Sequence, residues 1–432
     1  MRIDKLRVGV LLENYKKEEG GAHSYYNTLI EGIADYKFDE SLEFVFVAIG
    51  NAIDNSAPTN SYLFDVRAVM RKKHFLFSIL NRIAKLRGIH YLPLSGKFQK
   101  SYTLRFNEEI KKKLIENDID LIYSLTPYYN DLNYPTVVTH WDIGHKSTFS
   151  LPEVTFDNEY EFRDFYYRKY LNKAFAIICE SEAGKNELCS YKNINPKKVF
   201  IAPMFSSNLV NIKVNKDEEK RILNKFKLDT KEFFIYPAQF WAHKNHFNLI
   251  IAFNKFIVNH PDVKLVLPGG DKGNLTYIKD VVTQLNIEDR IIFGGFVSNE
   301  ELNVFYRNAI SLVMPTLLGP TNMPPIEANA LGCDVICSDF PGHRESLGDE
   351  AIYIDPTSSE EIYLAMEKVY EKRNMGNRPL PKNDINTVSK SLYAINKIFK
   401  SLLPIRKTFP PNFSAFRILL GMFISNLNFG LF

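Results

Sequence analysis

Three short stretches carry side chains whose types and spacing could do chemistry together. The stretch YPAQFWAHKNHF (236–247) has Lys244 with His243 and His246 beside it, in what reads as the loop leaving a strand. A lysine there can meet a phosphate as a point charge, and without an anion an ammonium beside an apolar cleft is costly. The stretch GPTNMPPIEANALG (319–332) sets three prolines and an Asn-Met pair in front of Glu327. Prolines forbid a long regular element across it, but Pro324 and Pro325 suit a first helical turn, where a missing N–H costs little. Thr321, Asn322 and Met323 can then offer backbone N–H groups to a diphosphate. Glu327 cannot join them as a phosphate ligand, because two anions repel. Its carboxylate suits vicinal hydroxyls, such as those of a ribose, through charge-assisted hydrogen bonds. The third stretch, THWDIGHKS (139–147), puts His140, Asp142 and His145 at a strand end, where imidazole and carboxylate can orient hydroxyls. Each group also has a plainer reading: a solvated loop lysine, a glutamate favoured by a helix dipole, a turn cap.

The elements that must hold these residues are legible as an alternation. In the first half, LRVGVLL (6–12), LEFVFVAIG (42–50), IDLIYSL (119–125), PTVVTHW (135–141), FAIICES (175–181) and KVFIAPM (198–204) read as strands. Helix-like stretches at 23–36 and 108–117 fall between them, and 51–104 reads as a long irregular insertion. Near-continuous Val, Ile, Leu and Phe imply parallel strands covered on both faces. The polar stretch 204–229 loses the strand rhythm, and a second alternation follows with strands at 233–239, 263–270, 291–296, 310–316, 334–339 and 351–356. Helices are expected at 246–260, 274–286, 299–309, from Ile326, and at 359–373. The expectation is an α/β protein with two doubly wound domains, 1–203 and 204–390, and a helical then apolar tail, 391–432, that packs back on the first domain or meets a membrane. Such sheets bind ligands at the carboxyl ends of their strands, so the site belongs in the cleft between them. Gly20 and Gly21, after the first strand and before a helix, would let backbone approach a phosphate there. They do not form a GxGxxG fingerprint.

Composition narrows the classes. A length of 432 residues exceeds one ordinary core, and 45% hydrophobic with 24% charged residues is typical of a soluble globular chain. Four cysteines with no close CxxC pair argue against a disulfide framework or zinc site, and no metal is expected. The N-terminus reads as a strand rather than a signal peptide, and no apolar run is long enough to span a bilayer. Net charge is only +4, yet residues 67–113 hold thirteen Lys or Arg against two acidic residues, interleaved with Phe, Ile and Leu. Membrane-surface contact there, and at the apolar 415–432, competes with an ordinary solvated basic face; nucleic acid is not the expected partner.

The second half resembles the retaining glycosyltransferases of family 4 (glycosyl transferases group 1), of GT-B architecture. The resemblance is carried by YPAQFWAHKNHFNLIIAF, IIFGGFVSNEELNVFYRNAISLVMPT and GPTNMPPIEANALGCDVICSD, in that order, and more weakly by GGAHSYY, WDIGHKS and SEAGKNEL. It covers roughly residues 5–375 and implies a GT-B fold of two facing Rossmann-like domains. It also implies a nucleoside-diphosphate sugar donor of UDP or GDP type, held in the C-terminal domain. Lys244 would neutralise the donor diphosphate, and Glu327, last residue of an E-x7-E motif, would hold the ribose. Gly20, Gly21, His243, Phe296, Val297, Thr321, Asn322 and Met323 would line the donor site. The His-Asp pair of the family falls on His140 and Asp142 by proximity, or on Trp141 and Asp142 by spacing. Two positions depart: Gly319 stands where the family has the first Glu, and Gln239 where it has a loop Arg. The implied activity is transfer to a glycan or lipid-linked acceptor in bacterial surface polysaccharide synthesis, with no cofactor, in the cytoplasm or at the inner membrane face. A nucleotide-sugar epimerase and a non-catalytic carbohydrate- or partner-binding protein are the alternatives.

Overall fold

The computed structural model describes residues 5–13, 20–49, 61–64, 107–127, 132, 134–148, 150–156, 158–191, 194–228, 232–375 and 387–407. The first sheet has seven strands in the order β3-β2-β1-β4-β5-β6-β7: β1 Leu6–Leu12, β2 Leu42–Ile49, β3 Ser61–Phe64, β4 Leu121–Ser124, β5 Thr136–His140, β6 Ala176–Cys179 and β7 Val199–Ile201. The second has six in the order β10-β9-β8-β11-β12-β13: β8 Phe233–Ile235, β9 Lys264–Pro268, β10 Ile291–Gly295, β11 Ser311–Met314, β12 Asp334–Ser338 and β13 Ala351–Ile354. Every named strand pair is parallel. The reason is local: β4 and β5 are buried at every position, which only a sheet covered on both faces allows. In each sheet the chain reverses its direction of growth once, between β1 and β4 and between β8 and β11. Crevices open at such switch points, outside the carboxyl ends of the strands.

The helices are α1 Gly21–Asp35, α2 over 107–116, the short α3 Gly144–Ser147 and α4 Pro152–Thr155, α5 Glu159–Lys169, α6 Glu182–Ser190, α7 Lys216–Lys225, α8 His246–Phe256, α9 Leu275–Gln284, α10 Asn299–Asn308, α11 Met323–Ala330, α12 Pro341–Leu347, α13 Ser359–Asn374 and α14 Val388–Lys407. Two expectations need revision. The polar stretch 204–229 contains α7, whose Ile222 and Leu223 are buried in the second core. The insertion 51–104 contributes β3, paired in register with β2. The helix carrying Glu327 also starts earlier than Ile326, so Met323 is its first residue and Glu327 its fifth.

α14 returns to the first domain. Leu392, Ile395, Ile398, Phe399 and Leu402 join α1, β1, β2 and β4 in one buried cluster. Phe399 lies 5.1 Å from the ring of Phe44 and 5.2 Å from that of Tyr123. The close approach depends on Gly32, where a Cβ would meet Leu392 Cδ1 at 3.0 Å. Met323 and Ile326, at the start of α11, belong to this same cluster, so this helix of the second domain is rooted partly in the opposite domain. The membrane-contact expectation rests on residues 67–113 and 415–432, of which 67–106 and 415–432 lie outside the described residues and 107–113 belong to α2. No helix among the described residues is long and apolar enough to cross a membrane.

Candidate functional site

The loops leaving β8 and β11, the two strands flanking the second switch point, are laced together. Residues Ala242–Lys244 form a single 3-10 turn, and Asn245 follows in the left-handed region with φ 57°. Its side chain donates to the carbonyls of Pro315 at 2.9 Å and Pro356 at 2.6 Å, tying the turn to the β11 exit. Leu317 N–H donates to His243 O at 2.8 Å, and the Tyr236 hydroxyl donates to Lys244 O at 3.0 Å. With its backbone fixed on both sides, Lys244 points its Nζ at Asn322 Oδ1, 3.3 Å away.

Asn322 is held in turn by His343, a residue that nothing in the sequence singles out. His343 Nδ1 lies 2.8 Å from the Ser338 carbonyl, which only accepts, so that nitrogen carries the proton. Its Nε2 is then an acceptor for Asn322 Nδ2 at 3.1 Å, which leaves Asn322 Oδ1 facing the ammonium. Burial lowers His343 to about 4, so the imidazole is neutral at physiological pH and this direction of donation is fixed. Burial also lowers Lys244 to about 8, against the partial support of Asp142 and Glu153. The lysine is thus half-buried, largely charged at pH 7, and without the full solvation of a surface ammonium.

Glu327 is 4% exposed. It accepts from the Ser207 N–H at 3.3 Å, from the Ser207 hydroxyl, and from the Tyr306 hydroxyl at 3.3 Å. Burial raises its carboxyl and these donors draw it back in part. Thr321 is buried, with its hydroxyl on Glu180 Oε2 at 3.1 Å. The Met323 side chain faces the first domain's core, which leaves its backbone for any ligand. Since Pro324 and Pro325 are the second and third residues of α11, two of the four N–H groups that a helix start exposes are absent. Anion binding at this terminus therefore falls to the N–H groups at 321–323. Phe296 is exposed on the loop after β10, while Val297 packs on the second core. Gly319 has φ 105°, a conformation that disfavours any side chain, and a Cβ there would meet Asn322 Nδ2 at 3.3 Å.

The first domain presents a complementary rim. Gly20 has φ 64° and precedes α1; Gly21, the first residue of α1, has nothing within 4 Å of an added Cβ. Gly20 faces Gln239 across the domain boundary, and a Cβ on it would lie 3.5 Å from Gln239 Nε2. Asp142 accepts from Gly144 N–H at 2.8 Å and from Arg163 at 2.9 Å. Burial alone would raise its carboxyl, but the Arg163 guanidinium and the Gly144 N–H hold it below the usual range. His140 is 2% exposed, contacts the Tyr167 hydroxyl at 3.3 Å through Nδ1, and has no partner at Nε2; burial lowers it to about 4. His145, the third residue of this stretch, is fully buried against Tyr160 and Tyr167.

Further contacts across the boundary join loops at the strand carboxyl ends. Glu153 Oε1 meets His243 at its backbone N–H, 2.8 Å, and its Nδ1, 2.5 Å. Glu345 from α12 accepts the Glu182 and Ala183 N–H groups at the start of α6, at 2.8 and 3.1 Å, where its charge also suits the helix dipole. Leu318 packs where a Cβ on Gly144 would come within 2.2 Å of its Cδ1, so any side chain there would have to displace Leu318. Together these contacts bring Lys244, Asn322, Thr321, Gly20 and Gly21 to the interface between the two sheets. Among the described residues no group of three or more His, Cys, Asp or Glu stands in a metal-holding arrangement.

Residues 216–383 match the family model described as Glycosyl transferases group 1. The chain is 25% identical over 193 residues to the O-antigen chain mannosyltransferase RfbU of Salmonella typhimurium, covering 45% of this chain and 50% of that protein. It is 24% identical over 230 residues to O-antigen chain mannosyltransferase B of Escherichia coli, covering 52% and 58%. The chain thus spans about half the length of the curated relatives it matches. Among solved structures, sucrose-phosphate synthase from Thermosynechococcus elongatus aligns with a TM-score of 0.67 at 17% identity, over 93% of this chain and 100% of that one. Anabaena HepE in complex with UDP aligns with a TM-score of 0.59 at 14% identity, over 94% and 100%. Two Rossmann-like domains with parallel sheets, aligned almost end to end with such neighbours, give the chain the GT-B fold.

Proposed function

We propose that the protein is a glycosyltransferase that moves a sugar from a nucleoside-diphosphate sugar to a glycan or lipid-linked acceptor, with retention of anomeric configuration. The observation that carries this reading is the built setting of Lys244. Ser338, His343 and Asn322 form a fixed chain of hydrogen bonds ending on its ammonium, at the switch point of the domain that matches the family model. A lowered, partly desolvated lysine at such a place is stabilised by an anion, and a diphosphate is the anion the fold supports. Lys244 and the N–H groups at 321–323 would stabilise charge growing on the leaving diphosphate, helped by the backbone at Gly20 and Gly21. Glu327 would take the ribose hydroxyls in exchange for Ser207. His243, Phe296 and Val297 complete the donor side, and His140 with Asp142 the acceptor side.

The carboxylates nearest the acceptor side are already engaged and poorly suited to act as a nucleophile below the sugar: Asp142 is paired with Arg163 and Glu153 with His243. Glu180, the other carboxyl at this cleft, is pushed up to about 8 by burial and is a neutral acid at pH 7, so front-face transfer is the reading these groups support. The bond from the anomeric carbon to the diphosphate oxygen breaks, its electron pair leaving with the phosphate. The acceptor oxygen bonds to the same face, and its proton passes to the departing phosphate. Domain closure would exclude water, whose attack is the competing reaction. The O-antigen relatives support a role in surface polysaccharide assembly, and the action is proposed to take place in the cytoplasm or at the inner membrane face. The test is transfer by Lys244→Ala with a panel of UDP- and GDP-sugars and lipid-linked acceptors. We expect a loss of at least about tenfold, roughly 1.4 kcal/mol of transition-state stabilisation. Unchanged transfer would remove Lys244 from the role. Binding of nucleotide without any turnover would favour a non-catalytic sugar-binding protein, and conversion of the donor sugar without acceptor an epimerase.

A further inference from the structure

Glu180 is a carboxyl that the reaction above does not use. It follows β6 directly, so it stands at the strand carboxyl end where this sheet faces the other domain. It is 5% exposed, and Oε2 accepts the hydroxyl of Thr321 from the β11 exit loop, 141 residues away in sequence. Oε1 is buried and receives no hydrogen bond of good geometry, although the Tyr25 hydroxyl interacts with the carboxyl from its own domain. A buried oxygen left in that state costs free energy comparable to a lost hydrogen bond, so buried polar groups are nearly always paired. The exception needs a cause, and a ligand that completes the pairing is one.

The loop opposite makes the point sharper. Between Leu318 and Thr321 it consists of Gly319 and Pro320, neither of which has a side-chain hydrogen-bonding group. Gly319 at φ 105° does not readily accept one. Gly319 and Pro320 themselves give a ligand lying over them no side-chain hydrogen bond, and on this loop only Asn322, already held by His343 and Lys244, stands beside them. Glu180 is the residue already bonded to that loop from the other side.

We infer that Glu180 is a binding residue for the sugar of the donor, its Oε1 hydrogen-bonded to a sugar hydroxyl. This rests on the donor-site reading given above. Tyr25, Tyr123, Cys179 and Asp142 are the ionisable groups around it, and they offer no cation. Burial pushes Glu180 up to about 8, so at neutral pH it is a carboxylic acid. With Oε2 accepting from Thr321, Oε1 carries the proton and donates. A glutamine reproduces that pattern, an oxygen for Thr321 and an N–H for the sugar; a methionine fills similar volume and reproduces none of it.

The experiment compares UDP with UDP-glucose and GDP with GDP-mannose by calorimetry on the full chain, for wild type, Glu180→Gln and Glu180→Met. The quantity read is the ratio of the two dissociation constants within each pair, which cancels effects on the diphosphate site. We expect Glu180→Met to reduce the sugar's share of affinity about tenfold, and Glu180→Gln to keep it within about threefold. Difference infrared spectra of the wild type give a second readout if the Met variant does not fold. Adding the sugar nucleotide should shift a protonated-carboxyl band that the nucleotide alone leaves in place and that Glu180→Gln lacks. An unchanged ratio in a folded Met variant, or an unmoved band, overturns the inference while leaving the donor-site reading intact. Wild type that binds none of the four overturns both.

Discussion

The setting of Lys244 makes nucleotide binding depend on pH in a way an ordinary lysine would not. Its ammonium is lowered to about 8 by burial, with Asp142 and Glu153 pulling the other way. If only the charged form binds a diphosphate, the apparent association constant scales with the protonated fraction of the free protein. That fraction is about 0.9 at pH 7 and about 0.1 at pH 9, so affinity should fall roughly tenfold over two units. A lysine at its ordinary value would lose only a few per cent over the same range. The ligand adds slope of its own at the two ends of the range, where its terminal phosphate (pKa about 6) and its base titrate, so the Lys244 effect is read as the difference from a variant that binds the same ligand. Isothermal titration of UDP and GDP from pH 6.5 to 9.5 measures the curve directly. Lys244→Arg provides the control, because a guanidinium does not titrate in this range and its curve should carry only the ligand's own slope. Glu153→Gln removes one of the two carboxylates that support the charge, and should move the inflection to lower pH. A wild-type curve no steeper than that of Lys244→Arg would refute the argument, either because Lys244 does not touch the phosphates or because it is not desolvated.

Two further perturbations test the rest of the frame. Gly319→Glu, which would place an acidic side chain at that loop position, should destabilise the protein by roughly 1–2 kcal/mol because φ is 105°, and should not raise transfer; thermal unfolding and a transfer assay check both, and a stable, faster variant would contradict the loop geometry. Acid should also destabilise the fold. His140, His145 and His343 are lowered to about 4 and His246 to about 3 by burial, whereas Glu180 and Glu187 are raised to about 8 and about 7. Between pH 6.5 and 4.5 the unfolded chain takes up protons at the four histidines that the folded chain refuses, and the two glutamates oppose this. The histidines' net lead grows from near zero at pH 6.5 to about two protons near pH 5, so stability should fall by roughly 1.5 kcal/mol over the first unit and roughly 3 over the second, read from urea midpoints at pH 6.5, 5.5 and 4.5. Midpoints that rise on acidification would reverse the balance.

The sheets were legible because their signal is local. Strands buried on both faces must be runs of Val, Ile, Leu and Phe, as in Leu6–Leu12 and Leu42–Ile49, and such runs survive without any knowledge of neighbours. α5 was not legible, because EYEFRDFYYRK has no buried residue and leaves Phe162 and Phe165 exposed, so no apolar stripe marks it. The reactive side chains were legible by type, but their partners were not. Glu153 reaches His243 across 90 residues and Ser207 reaches Glu327 across 120, pairings that only the two folded domains create. Asp142 reads as a ligand-facing carboxylate in THWDIGHKS, and Arg163, which pairs with it, sits in the helix that carried no signal. His343 lies in a loop-like FPGHRES, where nothing distinguishes it from a surface histidine until Ser338 and Asn322 are seen on its two nitrogens.

Those partners bear on the two departures from the family pattern. Loss of function relaxes the residues around a site, and the first to drift are those that serve only to orient another. Asn322 and His343 are residues of that kind. Both are buried or half-buried, His343 spends a neutral imidazole on a carbonyl and an amide, and the chain of hydrogen bonds ends on Lys244. Asn245 adopts a left-handed conformation to hold the same turn. The alterations at Gly319 and Gln239 are equally accommodated, with the glycine in a conformation that suits glycine and the glutamine packed beside Gly20. On the proposed function, a loop that keeps its lysine aimed while Gly319 carries no carboxylate fits a change of sugar better than a decayed site. On that reading the distinguishing contacts fall on the opposite rim, where Glu180 meets Thr321, and the sugar, rather than the nucleotide, would be the part of the donor whose recognition differs.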